Sequence, residues 1–237
     1  MNSTFSLAHP WLAPLRQPLL WSALCLTLVW DRLGLDHAVM AAIGSAQGFA
    51  LRHHPLLATV LHDWLKDVLL LLYLLAWLLV FWPRGPARGL SRRQRWVAIA
   101  GVSASLLLVS TLKRFSATSC PWDWQTYGGT AQPISFWAWG LSDGGPGHCF
   151  PGGHASSALA FWSLAWVAMS SQLTAVRRWG RGLGWVILAM GVLMGVVQTL
   201  RGAHPPSHTL WTAWICAAVG WVCACAGQLR ARTAAPA

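Results

Sequence analysis

Leu65-Lys66-Asp67-Val68-Leu69-Leu70-Leu71-Leu72-Tyr73-Leu74-Leu75-Ala76-Trp77-Leu78-Leu79-Val80-Phe81-Trp82 carries no charge after Asp67. A run of this kind suits a helix crossing a bilayer, whose hydrocarbon takes about 20 residues. Five further apolar runs accompany it, roughly Leu19–Leu35, Trp96–Leu112, Ala155–Ser171, Gly184–Leu200 and Thr209–Gly227. The 237-residue chain is 55% apolar and only 10% charged, against about 25% charged in soluble domains. The expected fold class is all-α, an integral membrane six-transmembrane-helix bundle. Residues 1–237 are expected to form a single membrane domain with no separate soluble part. The first run begins after Pro18 and lacks a small-x-small cleavage site before Asp31-Arg32. It reads as a retained helix, not a removed signal.

The formal charge is +11, and its distribution decides what it means. Arg84, Arg88, Arg92, Arg93 and Arg95 fall between the second and third runs. Arg177, Arg178 and Arg181 fall between the fourth and fifth, and Arg230 and Arg232 follow the sixth. All three groups lie on one side of a six-span chain, and the positive-inside rule makes that side cytoplasmic. The expected placement is a bacterial inner membrane, multi-pass, with both termini cytoplasmic. The bilayer is the expected partner, and nucleic acid is not.

The opposite face carries the longest loop, from about Lys113 to His154. Cys120 and Cys149 are its only cysteines, and Cys25, Cys216, Cys223 and Cys225 lie in apolar runs. An oxidising compartment permits a Cys120–Cys149 disulfide, with two free thiols or a metal site as the alternatives. Trp122, Trp124, Trp137 and Trp139 in this loop suit an aromatic belt or a wall for the apolar part of a lipid. The stretch Asp36 to Pro55 reads as an amphipathic surface helix, closed by Arg52-His53-His54-Pro55. Asp63, Lys66 and Asp67 share a helix face by their spacing, as an interfacial salt-bridge cluster or as headgroup contacts.

Two histidine clusters occupy this outer face. The second reads Arg201-Gly202-Ala203-His204-Pro205-Pro206-Ser207-His208. A nucleophilic histidine presents one ring nitrogen to phosphorus and has the other oriented. His204 is the expected nucleophile, and His208 is expected to accept the hydrogen bond that fixes it. Arg201 offers a fork of donors matched to phosphate oxygens. The first cluster reads Cys149-Phe150-Pro151-Gly152-Gly153-His154. Gly152 and Gly153 allow backbone N–H groups close to an anion at a helix start. His154 is placed to protonate a leaving oxygen, and Lys113 adds a cation. This set needs no cofactor and no metal. Taken singly, each feature has an ordinary reading: a helix cap, a snorkelling Lys113-Arg114 pair, or interfacial histidines. Their common face and order favour phosphate chemistry.

Lys113 with Cys120-Pro121, then Pro151-Gly152-Gly153-His154, then His204-Pro-Pro-Ser-His208 resembles the type-2 phosphatidic acid phosphatase family (PAP2). That family carries Lys-x6-Arg-Pro, Pro-Ser-Gly-His and Ser-Arg-x5-His-x3-Asp. The resemblance covers about 113–212 and leaves the first two helices without a motif. It implies a PAP2-type bundle that dephosphorylates a lipid phosphate or diphosphate. His204 would form a phosphohistidine, His154 would serve the leaving group, and Lys113 with the Gly153 backbone would hold phosphate. Lipid A, undecaprenyl diphosphate and phosphatidylglycerol phosphate are the expected substrate candidates, acted on from the periplasmic face. A lipid phosphotransferase and a non-catalytic phospholipid-binding protein are the alternatives.

The chain departs from the family pattern at three places. Cys120 stands for the first motif's arginine, Val197-Gln198 for Ser-Arg, and His208 for the aspartate. Arg201 lies one turn beyond Gln198, about 4.5 Å along a helix, and is expected to replace the missing arginine. Asp123 or Asp143 is the expected source of the missing carboxylate. The changes resemble those of a bacterial subgroup of the family.

Overall fold

The protein is described by a computed structural model covering residues 17–135, 137–138 and 140–233, with side chains described up to residue 227. Trp139 and both chain ends lie outside the described residues.

Among the described residues the fold is all-helical. It comprises α1 (Pro18–Arg32), α2 (Leu35–Ile43), a π-helical turn Leu56–Trp64 running into α3 (Leu65–Phe81), α4 (Arg92–Phe115), α5 (Gly153–Leu159), α6 (Trp162–Met169), α7 (Thr174–Leu200) and α8 (Pro206–Thr233). Four of these are long and apolar enough to cross a membrane: Leu56–Gly89, Arg92–Phe115, Thr174–Leu200 and Pro206–Gly227. A fifth is counted if the bent pair α1–α2 forms one span. Leu70, Leu71, Leu74, Leu75 and Leu78 on α3 are exposed, as lipid-facing side chains would be. Such helices are compatible with a multi-pass membrane protein.

The expected span Ala155–Ser171 is split. Across the join, Phe161 N–H bonds Ala158 O at 3.1 Å and Leu164 N–H bonds Phe161 O at 2.9 Å. These i→i−3 bonds overwind the chain and separate α5 from α6. Against the six helices expected, the described residues hold four such spans, or five with the bent pair α1–α2, and the split α5–α6 is not among them. The amphipathic helix expected from Asp36 to Pro55 is also shorter. It ends at Ile43, because Ser45 and Gly48 close a turn through paired backbone bonds of 2.9 Å. Gly34, at φ 63, admits the left-handed conformation that a side chain resists, and α1 and α2 meet there at 66°.

The core lies where α4, α5, α6, α7 and α8 pack. Ile99, Val102, Val109, Leu159, Met194 and Cys216 are fully buried there. Small residues set these approaches, as is usual between membrane helices. A Cβ at Gly191 would strike Leu159, and one at Gly195 would strike Thr209. The basic segments meet at one end of the bundle. Leu90, beside the 84–95 arginines, packs on Val176, next to Arg177, and Arg93 Nη2 donates to Ala226 O at 2.8 Å. Lys113, His154 and His204 stand at the opposite ends of their helices.

Candidate active site

Lys113 comes from the last turn of α4, and its Nζ lies 3.8 Å from where a Cβ on Gly153 would stand. Gly153 opens α5, so the lysine lies over the start of that helix. His154 follows and is buried. Its Nε2 lies 3.3 Å from Leu61 O, and its ring stacks on His62 at 4.3 Å. Both partners belong to the π-helical turn.

α7 delivers the other wall. Gly202, at φ 74, turns the chain out of the helix, and Ala203 N–H bonds back to Gln198 O at 2.9 Å. His204 is thereby carried in between the two spans, with its own carbonyl accepting from Thr199 Oγ1 at 2.9 Å. Burial, and then the neighbouring His208 and Lys113, hold the His204 imidazole well below its ordinary pKa. It is neutral at pH 7, with a lone pair available for attack. His204 lies in the electrostatic field of Lys113, His154 and His62, so residues distant in sequence share one site.

Arg201 does not point into lipid. Its Nη1 donates to Gln198 Oε1 at 3.1 Å and its Nε donates to Arg52 O at 3.1 Å. Gln198, the residue at the family's arginine position, thus holds the arginine one turn along. Asp63 and His154 both feel the Arg201 charge.

Several expected roles change. His208 Nδ1 lies 3.1 Å from Cys149 O and 3.3 Å from His204 Nδ1. A carbonyl only accepts, so this nitrogen carries a hydrogen and is not the acceptor expected for His204. Gly152 N–H bonds His208 O at 3.2 Å, and Thr212 Oγ1 donates to Gly152 O at 3.0 Å. Gly152 therefore ties α5 to α8, and its amide is not offered to phosphate. Neither expected carboxylate reaches the histidines. Asp143 accepts from Ser119 Oγ at 2.8 Å and from Gly145 N–H at 3.0 Å. Asp123 is bonded within its own turn by Trp122 and Cys120. The Asp63–Lys66–Asp67 cluster also differs, since Asp63 pairs with His62 at 2.8 Å.

The Cys120–Cys149 disulfide is present, with Cα atoms 5.1 Å apart. Its sulfurs are not thiolates, so their nearness to His204 does not make a metal site. The bond brings Cys149 Sγ to 3.2 Å from His204 Nδ1. Phe150, the next residue, meets the His208 ring in a T-shaped pair with centroids 5.2 Å apart. Beyond it lies a cavity of about 530 Å³, lined among others by Leu108, Leu112, Trp137, Phe150, Trp211 and Ile215. Of the outer-loop tryptophans, Trp137 joins this wall. Trp124 is buried and donates to Ser119 O at 3.2 Å, and Trp122 lies under Arg52 at 4.6 Å.

A family model described as the PAP2 superfamily matches residues 95–232, more than half of the chain. The chain belongs to the PAP2 superfamily. No curated protein and no solved structure matches it. The match runs from α4 through α8 and includes every motif residue from Lys113 to His208. Membership in the PAP2 superfamily points to phosphatase activity on phosphorylated substrates. The contacts of this PAP2 protein that sequence reasoning missed lie mostly outside the match. His62 is one, signalled only by its place beside Asp63 at the same helix end. Asp36 is another: it accepts from Ser207 N–H at 3.0 Å and from Ser207 Oγ, pinning the start of α8.

Proposed function

We propose that this PAP2 protein is a membrane lipid phosphatase acting through a phosphohistidine. The observation that carries the reading is the nearness of Lys113 from α4, His154 from α5 and His204 from the α7–α8 connection at one end of the bundle, with Arg201 of that same connection close enough for its charge to act on His154. Phosphoryl transfer needs little covalent chemistry from the protein beyond positioning and charge. Lys113 and Arg201 supply the cations for the phosphate oxygens, and the Gly153 backbone lies beneath Lys113.

In the first step a neutral His204 nitrogen attacks phosphorus. The phosphorus–oxygen bond to the lipid breaks, and His154 gives its Nδ1 proton to the departing oxygen. Burial lowers the His154 pKa to about 4 in the free site, and the negative charge of the bound phosphate brings the ring to its protonated form. In the second step water attacks the phosphohistidine. His154 takes the water proton, and His204 leaves as the neutral ring once phosphate departs. The apolar cavity behind Phe150 supports a lipid substrate, because it offers room for a chain beside a charged site. The basic end at the other side of the bundle favours an outward-facing, periplasmic site under the positive-inside rule. A lipid monophosphate or diphosphate fits this arrangement, with lipid A, undecaprenyl diphosphate and phosphatidylglycerol phosphate as the candidates.

The test is phosphate release from these three lipids by the detergent-solubilised protein without added metal. Vanadate-sensitive release is expected, with its loss in His204→Ala and His154→Ala. Wild-type rates in either variant would refute the roles given to these residues.

A further inference from the structure

The π-helical turn Leu56–Trp64 has no part in the family match, yet two of its residues grip His154. Such turns are rare and occur often at functional sites. Leu61 O lies 3.3 Å from His154 Nε2. The His62 ring lies over the same imidazole at 4.3 Å, tilted by 28°. One contact fixes the rotation of the ring and the other fixes its plane. Consecutive residues on a regular helix point in directions 100° apart. Here a backbone carbonyl and the next side chain converge on one target.

The pairing has a chemical consequence. A carbonyl only accepts, so His154 Nε2 keeps its hydrogen. Nδ1 is then the nitrogen that takes up and gives the exchangeable proton. His62 is itself held, with Nδ1 2.8 Å from Asp63 Oδ1. A carboxylate accepts, so the His62 hydrogen points to Asp63. Asp63 is well exposed, which leaves this end of the pair in contact with solvent.

We propose that His62, braced by Asp63, is a positioning residue for proton delivery by His154. The proposal rests on the reading of His154 as the leaving-group acid. His62 gives no proton itself. It holds the His154 ring so that the Nδ1 proton passes to the leaving oxygen as the phosphorus–oxygen bond breaks. The substrate class that needs this most is one with a basic alkoxide leaving group, as in an alkyl phosphate.

Two soluble probes separate this role from a general structural one. Dodecyl phosphate has a poor leaving group and needs the acid; 4-nitrophenyl phosphate has a good one and needs it less. The quantity read is the ratio of kcat on dodecyl phosphate to kcat on 4-nitrophenyl phosphate, for full-length protein in detergent. His154→Ala is expected to lower the ratio about 100-fold, the scale of a lost general acid. His62→Ala is expected to lower it about tenfold, a partial loss of the same effect. His62→Phe, which keeps a stacked ring, is expected to recover part of the loss. The double variant is expected to match His154→Ala alone, since residues acting as a unit are not additive.

If His154→Ala lowers the ratio and His62→Ala does not, the His62 proposal is overturned and the acid role of His154 stands. Additive losses in the double variant also overturn it. If His154→Ala leaves the ratio unchanged, the underlying reading fails and the proposal fails with it.

Discussion

The Nδ1 atoms of His204 and His208 face each other across 3.3 Å, where the family places a carboxylate against the nucleophile. His208 gives its hydrogen to Cys149 O and offers His204 no negative charge. His204 therefore keeps a pKa well below the ordinary imidazole value, through burial and the nearby His208 and Lys113. A lowered pKa keeps the nucleophile neutral further into acid. The acid limb of kcat/KM attributable to His204 should then fall below pH 6.5, the unperturbed histidine value. His208→Asp should move this limb to higher pH, because a carboxylate favours the imidazolium. His208→Ala should lower kcat about 100-fold, the cost of a misplacement on the order of 1 Å, without that upward movement. Paired pH–rate profiles check this, and an acid limb that stays put in His208→Asp would count against it.

Arg201 and Gln198 make a second exchange within the site. The Gln198 amide oxygen accepts from Arg201 Nη1, so the arginine and its support have traded places along one turn of α7. Arg201→Ala should lower kcat/KM about 10- to 100-fold, matching a charged hydrogen bond worth about 1.5–3 kcal/mol. The swap Gln198→Arg with Arg201→Gln should recover a substantial part of that loss. Equal activity of the swap and Arg201→Ala would show that Arg201 does not replace the family arginine.

What the sequence made legible was chemistry at helix ends. Lys113, His154, Arg201 and His204 each sit where an apolar run meets a break, and the structure brings them together. The disulfide was readable too, because the outer loop holds only two cysteines. Other features left no mark in residue types. The break between α5 and α6 runs through Ala160 and Phe161, where no proline or glycine announces it. The π-helical turn that aims Leu61 and His62 is a matter of winding, invisible to a hydrophobic pattern. His208 looked like an acceptor because its partner carbonyl, on Cys149, lies 59 residues away in the chain. Gly152 looked like a phosphate donor for the same reason, since His208 O takes its amide.

The disulfide should matter to activity as well as stability. Closing a loop with a sequence separation of 29 is worth about 3–4 kcal/mol in the chain-entropy account. Cys149 also packs its sulfur on His204 and offers its carbonyl to His208. Reduction, or Cys120→Ser with Cys149→Ser, should lower the Tm by several degrees and lower kcat together. A fall in Tm with unchanged kcat at low temperature would limit the bridge to stability.

Asp36 supports the site from outside the family match, as the Arg52 carbonyl does. Its Oδ1 accepts from Ser207 N–H at 3.0 Å and from Trp30 Nε1 at 2.8 Å, and its Oδ2 accepts from Ser207 Oγ. A carboxylate suits this place, because the first amides of α8 carry the positive end of that helix. Ser207 directly precedes His208, so the anchor on α2 sets where the second histidine stands. Asp36→Ala leaves buried donors without a partner, which costs about 1–3 kcal/mol per group. It should lower both Tm and kcat, whereas Ser207→Ala, which keeps its backbone bond to Asp36, should do less. The double variant should be scarcely worse than Asp36→Ala, since contacting residues couple by about 0.5–3 kcal/mol. Thermal unfolding and turnover of the three variants check this. Strictly additive losses would mean that Asp36 and Ser207 stabilise the bundle by separate routes.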